Sequence, residues 1–169
     1  MVVSGLVGAE VVLQNGVNID VSPEEGLAGS AVSAFLTTLI VGALLVTFAE
    51  TYTERMMTAV GEDPVGSLVY GFISLFLLVV LVIILVITIL GILLAIPLII
   101  LAVLVWAVGA TIVFLAVADR FVSREDGWLK PLVLAALFNG VLALSGIGGV
   151  ISFFAGALGF GAVLRDRFF

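Results

Sequence analysis

The sequence contains no cysteine and no histidine among its 169 residues. Disulfides, thiol nucleophiles, imidazole bases and metal sites with His or Cys ligands are therefore excluded. Charge is also scarce, because only 11% of the residues are charged, against about 25% in ordinary soluble domains. Twelve acidic residues outnumber six basic ones, and one of the six is lysine. This balance argues against nucleic acid as a partner and against a polybasic membrane-surface patch.

Apolar residues are abundant and make up 63% of the chain. A soluble domain of this size buries only about two-thirds of its chain surface, so it could not cover so many apolar side chains. The composition therefore predicts an all-α polytopic protein of the cell membrane, with the lipid bilayer as its solvent.

The longest uncharged run extends from Pro64 to Ala118. As one helix it would be roughly 80 Å long, far more than a bilayer core of about 30 Å. We therefore expect a hairpin with its turn at Gly91–Ile96. Pro97 is expected to begin the second helix, because proline cannot donate the hydrogen bond that continues one.

Five hydrophobic segments result from the whole pattern, and the stretch between residues 50 and 64 is interpreted as a polar loop. The last two segments are shorter than the roughly 17 residues that a span requires. They either cross a thinned or well-packed region or form a re-entrant hairpin. The predicted segments are residues 31–49, 65–90, 97–118, 131–144 and 149–164.

Residues 1–30 differ from the remainder of the chain. The runs VVSG, VVLQNG and VNIDVS are short, rich in β-branched residues and separated by Gly and Asn-Gly turn signals. They predict a short β-like segment followed by a linker. An unstructured acidic tail is the alternative.

The basic residues predict the orientation. If all five segments cross the membrane, every basic residue falls on one side, and the N-terminal segment falls on the other. The positive-inside rule then puts the N-terminus outside and the C-terminus in the cytoplasm. A re-entrant last hairpin leaves this assignment unchanged. The basic residues are Arg55, Arg120, Arg124, Lys130, Arg165 and Arg167.

No arrangement of residues typical of an enzyme is found. Adjacent carboxylates occur, but each pair lies in a predicted loop, where a solvated surface role is the ordinary one. There is no Gly-rich phosphate loop with a lysine. The sequence therefore predicts no catalytic residue, no cofactor and no metal site. The carboxylate pairs are Glu24/Glu25, Glu62/Asp63 and Glu125/Asp126.

Asn139 is the most polar residue well inside a predicted span. We expect it to hydrogen-bond a neighbouring helix, which contributes about 0.6–2 kcal/mol in membranes. Contact with a transported solute is the alternative. A transporter would normally carry an ionisable residue within a span, and the predicted spans contain none.

Small residues spaced four apart recur in the last two segments. Such pairs let helix backbones approach closely in lipid, where no hydrophobic effect drives helices together. Packing within the chain and association with a second copy or a membrane partner both remain open. The pairs are Ala136/Gly140, Ser145/Gly149, Ala155/Gly159 and Ala157/Gly161.

The chain resembles the C-terminal membrane domain of bactofilin-like (polymer-forming cytoskeletal) proteins of the haloarchaeal type. The resemblance rests on 88-TILGILLAIPLII-100, on 146-GIGGVISFFAGALGFGAVL-164 and on the preceding β-like segment. In that family a β-solenoid precedes the membrane helices, so the resemblance implies an anchor for an extracytoplasmic β-structure.

These observations predict a non-enzymatic membrane anchor or scaffold. It would hold the N-terminal segment outside the cell and associate through its Gly/Ala-rich helices. The alternatives are an oligomeric channel or transporter subunit and an accessory subunit of a larger membrane complex.

Overall fold

A computed structural model of the chain describes residues 23–122, 124 and 127–168. Across these residues the chain forms six α-helices and no strand. The predicted β-like segment, up to residue 22, lies outside them. The helices are α1 (Pro23–Phe48), α2 (Glu50–Glu62), α3 (Pro64–Val86), α4 (Ile89–Asp119), α5 (Leu129–Leu144) and α6 (Gly148–Phe168).

Helix α1 begins at Pro23, eight residues before the predicted segment at residue 31. The prediction of a linker up to residue 30 is therefore wrong for its last part. Proline has no N–H to satisfy and a fixed backbone angle that suits the first helical turn, so it begins a helix as readily as it occurs in a loop.

Helix α2 replaces the predicted polar loop. It is amphipathic, and its buried residues Thr53, Met56, Met57 and Val60 have the i, i+3, i+4, i+7 spacing of one helix face. Thr53 Oγ1 donates to the Ala49 carbonyl, 2.9 Å away. The loop prediction was wrong because it weighed the polarity of this stretch and not its period.

The turn of the central hairpin lies at Ile87–Thr88, before the predicted Gly91–Ile96. The Thr88 side chain caps α4 by accepting a hydrogen bond from the Gly91 N–H at 2.9 Å. A Cβ on Gly91 would overlap the Leu85 carbonyl oxygen, so glycine is required where α4 folds back on α3. The threonine cap was the overlooked signal.

Pro97 lies inside α4 and does not begin it, which corrects the prediction. A proline within a helix leaves the carbonyl four residues before it without a donor. The turn ends at Thr88, and the 31-residue helix α4 continues past Pro97 although this one backbone hydrogen bond is missing. Its length, roughly 46 Å, exceeds the bilayer core.

Among the described residues, four helices are long and apolar enough to cross a membrane, and α5, with 16 residues, is shorter. Helix α6 extends beyond the predicted segment at both ends, which gives it the length of a span. It packs mainly against α3 and α4, whereas α5 packs mainly against α1. The four long segments are Gly26–Phe48, Pro64–Val86, Leu90–Asp119 and Gly148–Asp166.

The buried apolar core lies where α2, the C-terminal half of α4, α5 and α6 meet. Met56, Ile112 and Leu115 are completely buried there. The residues of α3 and α4 near their shared turn are mostly exposed, as expected for side chains that face lipid.

Candidate functional site

The small residues of α6 pack inside the chain. Ala157 and Gly161 meet α3 so closely that a Cβ on Gly71 would overlap the Ala157 carbonyl oxygen. On the α4 side, a Cβ on Gly159 would overlap the backbone of Gly109. Ala155, which belongs to the same two pairs, is also buried. All four small residues therefore pack against helices of this chain, and none of them is exposed for contact with a second copy.

The other predicted pairs have different surroundings. Ala136 is buried, and a Cβ on Gly140 would lie 3.3 Å from the Ala31 carbonyl oxygen, so this pair brings α5 close to α1. Ser145 and Gly149 are exposed on either side of the α5–α6 turn, and a Cβ on Gly149 meets nothing within 4 Å. Ser145 Oγ donates to the Leu142 carbonyl of its own helix, and within the described residues this pair does not bring two helix backbones close together.

Aromatic side chains fill the space around the small residues of α6. The Trp106 ring centroid of α4 lies 5.2 Å from that of Phe153. From α3, Phe72 contacts Phe153 and Phe154, with centroids 6.2 Å and 5.9 Å apart. Large rings on α3 and α4 therefore pack against a helix that is otherwise narrow.

Asn139 joins three helices through its side-chain amide. The amide nitrogen donates to the Thr38 hydroxyl of α1 at 2.7 Å and to the Ala34 carbonyl at 3.4 Å. The amide oxygen accepts from the Ser152 hydroxyl of α6 at 3.0 Å. Both ends of the amide thus have partners in the protein, which is the arrangement of an interhelical contact.

A network of ion pairs connects the helices at one end of the molecule, which we call the charged end. It comprises α2, the last turns of α4 and α6, and the connection between α4 and α5. Arg55 of α2 binds Asp166 of α6 at 2.6 Å, and Arg165 of α6 binds Asp63 at 2.6 Å. Residues distant in sequence therefore meet at this end of the molecule.

Arg124 forms the centre of the charged end. Its Nε and Nη2 donate to the two carboxylate oxygens of Asp119, and Nη1 donates to Glu54 at 2.8 Å. The hydrogen bonds that the Asp119 carboxylate accepts raise the pKa of Arg124 above its ordinary range. The guanidinium carbon lies 4.2 Å from the centroid of the Trp128 ring, whose Nε1 donates to Glu50 at 2.5 Å. These contacts join α2 to the end of α4.

Asp63 has two partners and connects α3 to α6. One carboxylate oxygen accepts the backbone N–H of Gly66 at 2.9 Å and so caps α3, while the other binds Arg165. The cap and then the arginine lower the pKa of Asp63 below its ordinary value of 3.8. This carboxylate therefore has a structural role.

The remaining carboxylates of the described residues form no metal-binding group. The described residues contain no group of three or more carboxylates placed to hold a metal ion. Of the predicted acidic pairs, Glu62/Asp63 lies at the end of α2, whereas Glu125/Asp126 and the side chains of Glu24 and Glu25 lie outside the described part. Sequence reasoning missed the ion pairs themselves, since their partners are up to 111 residues apart.

One family model, that of a domain of unknown function called DUF8173, matches residues 1–169. The chain belongs to the DUF8173 family. Neither the curated proteins nor the solved structures contain a match. No named relative links the DUF8173 chain to bactofilin-like proteins, so that resemblance stays a prediction.

Proposed function

We propose that this protein is a non-enzymatic membrane anchor whose helical bundle holds the N-terminal segment at the outer face of the cell membrane. The charged end lies in the cytoplasm, because it carries the basic residues and the positive-inside rule favours that side. The single observation that supports an anchor best concerns Asn139. Its amide nitrogen donates to Thr38 and its amide oxygen accepts from Ser152, so both ends of the amide are bonded within the protein.

The distribution of charge supports the same proposal. Within the described residues, Asp, Glu, Lys and Arg side chains lie at the charged end, and the four long apolar segments contain them only in their last turns. A transport pathway would place charged or unsatisfied polar groups along the spans. Among the described residues, Ser67 in the first turn of α3, beside the charged end, has a buried hydroxyl without a hydrogen-bond partner. Elsewhere the spans meet mainly through small and apolar residues, which suits a rigid bundle.

The position of α6 in the fold changes which surface could bring several copies together. Because Ala155, Ala157, Gly159 and Gly161 are buried between α3 and α4, a scaffold built from several copies would have to meet through other, lipid-facing side chains. The anchor proposal requires no such meeting, since one bundle suffices to hold one N-terminal segment.

A flux assay tests the anchor against the channel or transporter. The purified full chain is reconstituted into liposomes with a potassium gradient, and ion movement is followed with a potential-sensitive dye. We expect the same signal as from empty liposomes, for wild type and for Asn139→Leu. Flux that Asn139→Leu abolishes, and that the matched exposed change Gly149→Ala preserves, would replace the anchor with a pore.

A further inference from the structure

A cleft of about 390 Å³ lies between α2 and α4 at the charged end. Apolar and charged side chains both line it. The charged lining residues are Asp119, Arg120 and Arg124, and the apolar ones include Met57, Pro64, Val113, Val117 and Leu158. An amphipathic cavity of this kind suits a molecule with a polar headgroup and an apolar chain.

Arg120 is the one charged residue of the cleft lining that has no ion-pair partner among the described residues. From the end of α4 its guanidinium reaches across to α2, where a Cβ on Gly61 would lie 3.6 Å from the terminal nitrogen. Within the described residues Arg120 takes part in no ion pair, although its side chain is exposed beside the carboxylate-rich α2. One positive charge therefore remains uncompensated over the cleft.

The other charged groups of the cleft are already engaged. Arg124 donates hydrogen bonds to Asp119 and Glu54, and both carboxylate oxygens of Asp119 accept from Arg124. The cleft therefore offers Arg120 to a phosphate and, among its lining residues, no unoccupied carboxylate to a cationic headgroup amine. This arrangement matches a headgroup of net negative charge.

We propose that this cleft binds one anionic phospholipid of the leaflet at the charged end. The phosphodiester contacts the Arg120 guanidinium, and the first part of an acyl chain lies along Val113 and Val117. Basic pockets between membrane helices on the cytoplasmic side are suited to anionic headgroups. The bound lipid would cover the cleft between α2 and α4 and hold α2 on the membrane surface.

Native mass spectrometry of the detergent-purified full chain tests this site. The protein is titrated with phosphatidylglycerol, with phosphatidylcholine of the same acyl chains, and with inorganic phosphate as a competitor. We expect one retained phosphatidylglycerol, and about a five-fold weaker affinity for it in Arg120→Gln, since one basic residue near the surface contributes about 1 kcal/mol. Arg55→Gln is the matched control, because it removes the same charge at the same end but outside the cleft.

A second variant separates the cavity from the charge. Gly61→Phe keeps Arg120 and fills the space beneath it, so we expect it to weaken retention of phosphatidylglycerol as well. Equal losses in Arg120→Gln and Arg55→Gln, equal retention of the two lipids, or displacement of the lipid by inorganic phosphate would each overturn the proposal. So would unchanged retention by Gly61→Phe.

Discussion

Helices α3 and α6 have similar lengths, 23 and 21 residues, but occupy opposite environments. Only 6% of the residues in the most apolar window of α3 are buried, whereas 44% of the residues in the corresponding window of α6 are buried. The buried helix is the less apolar of the two. Lipid solvates large apolar side chains well, and close contact between helix backbones requires small ones. In this helical bundle, residue size therefore decides position more than hydropathy does.

The largest effect is expected when a small residue of α6 is enlarged, because this disrupts the close packing that distinguishes α6 from α3. Gly159→Leu would drive a side chain into the backbone of Gly109, and no flexible group there can move aside. We expect a loss of about 3 kcal/mol or more in the free energy of unfolding, measured by denaturant titration in mixed micelles. Gly149→Leu, on the same helix but in open space, is the control and should unfold like wild type.

The next largest effect concerns the polar contact of α6 with α5 and α1. Asn139→Leu removes the hydrogen bonds to Thr38 and Ser152, and we expect a loss of about 0.6–1.7 kcal/mol by the same titration. A double-mutant cycle with Thr38→Val should show that the two losses are not additive. Strict additivity would mean that the Asn139–Thr38 bond contributes nothing to stability.

The contact between α3 and α6 at the charged end should depend on pH. The pKa of Asp63 is lowered in the folded protein by the Gly66 N–H and then by Arg165, so its stabilising effect is present at neutral pH and is lost as the pH falls below about 4. Asp63→Asn keeps a capping side chain and removes the charge. We expect its melting temperature to lie below that of wild type at pH 7, and the gap to narrow toward pH 3. A gap that does not change with pH would contradict a role for the charge.

The smallest effect should come from the lipid-facing side of α3. Leu77 is 60% exposed, so Leu77→Ala removes contacts with lipid and not with protein. We expect a change within about 0.5 kcal/mol in the free energy of unfolding. A loss comparable to that of Gly159→Leu would show that α3 is covered by another protein surface.

The sequence was sufficient to predict the helical class and apolar segments long enough to cross a membrane, because composition and run length carry that information. It misplaced the central turn, since Gly91 and Pro97 were given more weight than the Thr88 cap. It also missed α2, whose period was hidden by its polar residues. Which partner each small pair would meet, such as Gly109 for Gly159, depends on long-range packing that local patterns do not encode.

The most direct test of the account is the side of the membrane on which each end lies. Because the chain has no cysteine, Ser22→Cys in the N-terminal segment and Thr58→Cys on the exposed face of α2 can each be labelled alone with a membrane-impermeant maleimide. We predict that Ser22→Cys is labelled in intact cells and Thr58→Cys only after permeabilisation. Labelling of Thr58→Cys in intact cells would contradict an anchor whose charged end faces the cytoplasm.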